Sequence, residues 1–193
     1  MSFSNSAGKI ARLRAVRCFV LDMDGTFYLG DRLIEGSLAF YEAARASGRR
    51  VLFLTNNSSR DGQYYARKLQ RMGCPAPEED VYTSGMATCQ VLNREYPGKP
   101  VYLLGNEALR GEFSRYGVPM DGRPEVVVVG FDTTLTYEKL CRVCDLVRAG
   151  LPYLATHPDF NCPTETGFVP DVGAILAFIE ASTGRRPDRI IGK

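Results

Sequence analysis

Short apolar runs alternate with helix-patterned stretches along almost the whole chain, and this alternation limits the fold more than any other feature. Residues 18–21, 51–54, 101–104 and 126–129 are apolar runs of strand length. Residues 36–47 carry apolar side chains at helical spacing and stop at Gly48; residues 58–72 are amphipathic and stop at Gly73. A glycine in that place closes a helix by turning left-handed. Helical patterns over 107–116 and 137–148 follow the third and fourth runs, and 152–155, 173–181 and 189–191 continue the alternation. Strands that are apolar on both faces, each followed by a helix, predict parallel sheets covered by helices, the α/β class.

A chain of 193 residues can form one large domain or two small ones and bury a core without covalent staples. Pro75-Ala-Pro77-Glu-Glu-Asp80 is a Pro-rich polar break, and residues 163–171 form a second irregular stretch. At least three strand runs lie between them, which suggests a second α/β domain inserted into the first. The net charge is +2, from 24 basic and 22 acidic residues, so nucleic acid and anionic membrane are not expected partners. The basic stretch from Met1 to Arg17 has no apolar core of signal-peptide type, and no apolar run is long enough to span a bilayer. These features predict a cytoplasmic protein whose six cysteines are reduced thiols. Cys141 and Cys144 form the one close pair, inside a helical pattern and without a second pair at zinc spacing.

The first run ends in Asp22-Met-Asp24-Gly25-Thr26. In open α/β sheets ligands bind beyond the carboxyl ends of the strands, and Asp22 closes its strand at that edge. Asp24 is two residues on and points to the same side in extended chain. Two carboxylates so close repel unless a cation or a proton lies between them, and Mg²⁺ suits a site of hard oxygen donors. The plainer alternative makes them cap and turn residues after a strand; the buried strand before them and Gly-Thr after them favour chemistry. Residues 27–34 then place apolar runs around Gly30-Asp31, a hairpin pattern that could stand over the carboxylates.

The second run leads into Thr55-Asn56-Asn57-Ser58-Ser59 and a helix. Neutral hydroxyl and amide groups at a helix N-terminus make an anion seat that does not compete for a metal. Asn57 or Ser58 is also expected to cap that helix.

Taken in order, Asp22-Met-Asp24-Gly25-Thr26, Thr55-Asn56-Asn57 and Ile190-Ile191-Gly192-Lys193 resemble the first three motifs of the haloacid dehalogenase superfamily phosphatases. The long stretch between the second and third motifs resembles the class IIA branch, with its large α/β cap; Val128-Val-Gly-Phe-Asp132 and Ala155-Thr-His-Pro-Asp159 are similar to cap segments there. The resemblance implies a Rossmann-like parallel-sheet core over 1–80 and 173–193 with an α/β cap over 81–172. It implies Asp22 as nucleophile and Asp24 as acid and base. Mg²⁺ would sit on Asp22 and Asp24, the latter through its backbone carbonyl, and Thr55, Asn56 and Lys193 would hold the phosphoryl group. His157 and Asp159 become candidate substrate contacts in the cap. The implied partner is a small phosphorylated metabolite such as phosphoglycolate, a sugar phosphate, a nucleoside monophosphate or pyridoxal phosphate. A homodimer through the cap is left open.

The family's fourth motif, an acidic pair, is not found before Lys193. The core is therefore expected to be incomplete at its C-terminal side, with an exposed apolar edge on the Asp22 strand and weakened metal binding. Asp171 is read as either the cap of the next helix or a substrate-facing group, and Asp132 as a turn residue. Two other functions remain in view. One is a non-catalytic binder or scaffold on the same fold; the other is a phosphotransferase, which would show acceptor-dependent turnover.

Overall fold

The computed structural model describes residues 12 and 14–193; residues 1–11 and 13 of the basic N-terminal stretch lie outside the described residues. The first sheet has three parallel strands: β1 (Cys18–Asp22), β4 (Arg50–Thr55) and β5 (Val81–Thr83), in the order β1-β4-β5. A small hairpin, β2 (Tyr28–Leu29) with β3 (Arg32–Leu33), follows β1, then helix α1 (Ser37–Ala46); α2 (Gly62–Arg71) follows β4. Asp22 pairs in register with Leu54, so Asp22 and Thr55 leave the sheet at the same carboxyl edge. Phe53, Tyr41, Phe27 and Tyr65 pack the core beneath them.

The second sheet has four parallel strands: β6 (Val101–Leu104), β7 (Val126–Val129), β8 (Tyr153–Ala155) and β11 (Arg189–Ile190), in the order β11-β8-β7-β6. Helices α3 (Ser84–Glu95) and α4 (Glu107–Arg115) bury Cys89, Leu92, Leu109 and Phe113 with Val126 and Val128. Helices α5 (Tyr137–Arg148) and α6 (Val172–Thr183) bury Val143, Val147, Ile175 and Ile179 with Val127 and Val129. The two-residue period of a strand sends alternate valines to opposite faces, and a layer on each face is why all four are fully buried.

The expected domain boundaries differ from these sheets in two places. Residue 81 was expected to open the cap, yet Val81–Thr83 pairs with Phe53–Thr55 in the first sheet. The polar stretch before it is not free linker: the buried Asp80 carboxylate pairs with Arg45 at 3.3 Å and Arg50 at 3.1 Å. At the far boundary, residues 173–193 were expected to rejoin the core. Val172, Ile175, Leu176 and Ile179 instead share one helix face that fits the second sheet, and β11 pairs with β8. Past β11 the chain returns to the first sheet, where Lys193 meets Asn56 and Asp22. The strand β1 carries the exposed apolar edge expected of it. It stands at the sheet's edge among the described residues, and Val20 is 59% exposed. The stretch read as irregular, residues 163–171, falls mostly in an antiparallel hairpin, β9 (Asn161–Thr164) with β10 (Gly167–Pro170). Asp132 is a turn residue, accepting from Thr134 N at 2.8 Å and from Lys139 Nζ at 2.7 Å.

One buried carboxylate joins the two sheet units. Glu112 on α4 accepts from Thr83 Oγ1 at 3.1 Å and from Gly62 N at 3.4 Å, at the first turns of α3 and α2. Burial outweighs these donors and the nearby Arg115, and pushes its carboxyl from 4.5 up to about 7. Between those two values the unfolded chain has lost a proton that the folded chain keeps, so stability falls as pH rises through this window. Glu112→Gln is expected to remove that slope, worth roughly 2–3 kcal/mol between pH 4 and 8 by the size of the shift. Urea unfolding of both proteins across that range checks it; parallel pH curves would refute it.

Candidate active site

Asp22, Asp24, Thr55, Asn56, Asp159, Asp171 and Lys193 line one polar cavity of about 250 Å³, together with Asn57, Asn161, Cys162 and Pro163. The structure therefore brings together every expected site residue except His157. Asp22 is the last residue of β1, and the chain turns sharply after it. Gly25 N bonds back to Tyr28 O at 2.8 Å, and Phe27 N to Met23 O at 2.9 Å. Gly25 carries this turn at φ 76°, a conformation that favours glycine. Met23 between the two aspartates is fully buried, which leaves both carboxylates on the cavity side.

Asp24 has a setting that sequence reasoning did not find. The buried Tyr28 donates its hydroxyl to Asp24 Oδ2 at 3.5 Å, and Lys68 of α2 stands 4.2 Å over the Tyr28 ring. Burial pushes the Asp24 carboxyl above its ordinary range; Lys68 pulls it back and Asp22 adds to the rise. The only sequence sign was the aromatic residue four places after Asp24, which was read as part of the hairpin that could stand over the carboxylates.

Thr55 ends β4 and is buried, with its Oγ1 accepting from Asn57 N at 3.1 Å. That bond leaves the hydroxyl proton free to donate into the cavity. The expected helix cap lies elsewhere. Asp61 caps α2 by accepting from Tyr64 N at 2.7 Å, and Asn57 instead folds the loop by accepting from Ser59 N at 3.0 Å. An aspartate at the first turn competes better for that place than either neutral residue upstream. Lys193 reaches Asp22 Oδ1 with its Nζ, and Lys193 is the one cation among the residues lining the cavity.

His157 was expected to touch substrate, yet it is fully buried and both ring nitrogens are engaged. Phe131 N donates to Ser58 Oγ at 2.9 Å, Ser58 meets Thr156 Oγ1 at 3.1 Å, and Thr156 meets His157 Nδ1 at 3.0 Å. His157 Nε2 lies 2.9 Å from Asp171 Oδ1, which also accepts from Val172 N at 2.7 Å. With Asp171 as carboxylate, a neutral imidazole donates from Nε2 and accepts at Nδ1, and every member of the chain is satisfied. Asp171 thus caps α6 and lines the cavity at once, and His157 supports it from behind.

Among the described residues no group of three or more His, Cys, Asp or Glu gathers as a ready metal cage. Asp22 and Asp24 still offer two hard oxygen donors in one polar cavity. This fits Mg²⁺, which takes one or two carboxylates and keeps several waters. Two hairpins meet above the cavity. Glu165, between β9 and β10, accepts from Asp31 N at 3.4 Å, and a side chain at Gly30 would strike it.

A carboxylate at a strand end, a second carboxylate beside it, a hydroxyl donor and one lysine form a constellation suited to chemistry at a phosphorus centre. The family of haloacid dehalogenase-like hydrolases matches the chain over residues 19–119. The acid sugar phosphatase of Staphylococcus aureus strain MRSA252 is 35% identical over 183 residues, covering 94% of this chain and 70% of that protein. The crystal structure of a 4-nitrophenylphosphatase from Thermotoga maritima superposes with a TM-score of 0.89 at 50% identity, over 92% of this chain and 69% of that one. A glycerol phosphate phosphatase from Mycobacterium tuberculosis, solved with magnesium, superposes with a TM-score of 0.85 at 32% identity, over 93% of this chain and 56% of that one. The chain belongs to the haloacid dehalogenase-like hydrolase family. Within it, the cap-bearing class IIA branch is the one it fits.

Proposed function

We propose that this protein, a phosphoric monoester hydrolase by its family, uses Mg²⁺ and cleaves a small phosphate monoester through an aspartyl-phosphate on Asp22. The observation that carries the reading is the meeting of Asp22, Asp24, Thr55 and Lys193 in one polar cavity. In the first step an Asp22 oxygen bonds to phosphorus while the bond from phosphorus to the ester oxygen breaks. Asp24 gives that departing oxygen its proton. In the second step Asp24 takes a proton from water as the water oxygen attacks phosphorus, releasing inorganic phosphate and the Asp22 carboxylate. Thr55 donates its hydroxyl to a phosphoryl oxygen, and Lys193 offsets negative charge on the nucleophile and the ester. Mg²⁺ would be held by the Asp22 carboxylate and the Asp24 main-chain carbonyl, and when bound would neutralise charge on the phosphoryl oxygens.

The first sheet with its helices is the catalytic core in this reading, and the second sheet with the β9–β10 hairpin is the cap. A cap that shields the site favours a small soluble ester over a phosphoprotein. Sugar phosphates and glycerol phosphate are the first substrates to try, since relatives are named for them.

Release of nitrophenol from nitrophenyl phosphate, with Mg²⁺ and then with chelator, tests the proposal. Turnover is expected with the metal and a loss of at least about 100-fold with chelator, given the charge a metal offsets here. Turnover indifferent to chelator would remove Mg²⁺ from the reading. No turnover of nitrophenyl, sugar or glycerol phosphate by the folded protein would favour a binder.

A further inference from the structure

We propose that Asn56 is a positioning residue for Lys193 rather than a ligand of the phosphoryl group. Its carboxamide is already committed. Nδ2 donates to the Lys193 carbonyl at 2.6 Å and to Asp159 Oδ2 at 2.7 Å, and Oδ1 accepts from Lys193 N at 3.1 Å. Two acceptors at one end and a donor at the other admit one orientation of the amide. Both of its N–H bonds are used, and none is left for a phosphoryl oxygen.

The clamp has a fixed base and a fixed load. The carbonyl of Asn56 accepts from Ser84 Oγ at 2.5 Å, so the residue is held at the end of β4. The chain it grips arrives from the second sheet: Ile191 N bonds to Ala155 O at 3.0 Å and Gly192 N to Thr156 O at 2.8 Å. A Cβ at residue 192 would stand 2.7 Å from Asn56 Oδ1 and 2.6 Å from Thr156 O, so glycine is what lets the strand end come this close. Past Gly192, Asn56 holds the Lys193 main chain at both its N–H and its carbonyl. The long lysine side chain needs such an anchor, because ordering it costs rotamer entropy. Asp159, from the second sheet's side, completes the grip. Asn56 therefore fixes the lysine against Asp22 only when both units are docked on it.

This inference rests on the role proposed above for Lys193. A double-mutant cycle tests it: Asn56→Ala, Lys193→Ala and the pair, in the magnesium-loaded protein. The readouts are kcat and KM for nitrophenyl phosphate, and the dissociation constant of inorganic phosphate, which stays measurable if turnover is lost. Asn56→Ala is expected to lower kcat roughly 10- to 100-fold with little change in KM, the pattern of a misplaced transition-state group. In the Lys193→Ala background the same substitution should cost less than about threefold, because its target is gone. An equal loss in both backgrounds overturns the clamp, since a direct phosphate contact or a general loss of structure would both add. If Lys193→Ala alone leaves kcat and phosphate affinity unchanged, the lysine's own assignment fails and the clamp with it. Asn56→Ser, a smaller disturbance, carries the same cycle if the alanine variant does not fold.

Discussion

Asp22→Asn is expected to lower turnover by at least ~10⁴-fold while leaving the melting temperature close to that of the parent. The first half follows from chemistry: a carboxamide has no oxygen basic enough to bond to phosphorus, so the covalent route closes and only positioned water remains. The second half follows from exposure. Asp22 and Lys193 are 41% and 39% exposed, and an ion pair so open to water contributes about 1 kcal/mol or less. The substitution is isosteric and leaves β1 paired with β4 along its length. Stopped assays on nitrophenyl phosphate with a thermal scan of the same samples check both halves. Retained turnover would end the aspartyl-phosphate mechanism, and a collapsed melting temperature would mean that Asp22 serves the fold first.

Asp24→Asn should cost about 10²- to 10⁴-fold, the usual worth of a placed acid and base. The size should depend on the ester. Nitrophenolate leaves readily without a proton, whereas an alkoxide from glycerol phosphate does not, so the alkyl ester should suffer more. The neighbouring Tyr28 hydroxyl does not replace Asp24, because burial first, and then the nearby Asp24, push the phenol far above its ordinary range. A loss under tenfold on glycerol phosphate, in a protein that hydrolyses it, would remove Asp24 from both proton transfers.

Much of this site was legible because its chemistry lies at strand ends. Apolar runs give the strands, the carboxyl edge gives the side on which ligands bind, and Asp22, Thr55 and Lys193 each follow such a run. What stayed hidden was decided by partners far along the chain. Nothing local tells that Asn56 spends its amide on Lys193 and Asp159, or that His157 faces Asp171 in the interior. The β9–β10 hairpin was read as irregular because Pro163 and Pro170 break the strand pattern. They sit there at the pairing of a two-stranded ribbon, where a missing N–H is tolerated. The boundary at residue 173 failed for a related reason: the apolar face of α6 fits either sheet by pattern, and only packing chooses.

The bond between Lys193 and Asp22 spans 171 positions of sequence. Contacts of such separation form late, since the chain between them must first give up its freedom. A partly folded copy can carry the aspartates at the end of β1 while its lysine is still unplaced. On the roles proposed for Asp22 and Lys193, hydrolytic competence comes with the closing of a loop of that length, and a nascent or damaged chain that cannot close it is expected to have little capacity to strip phosphate from the metabolites around it.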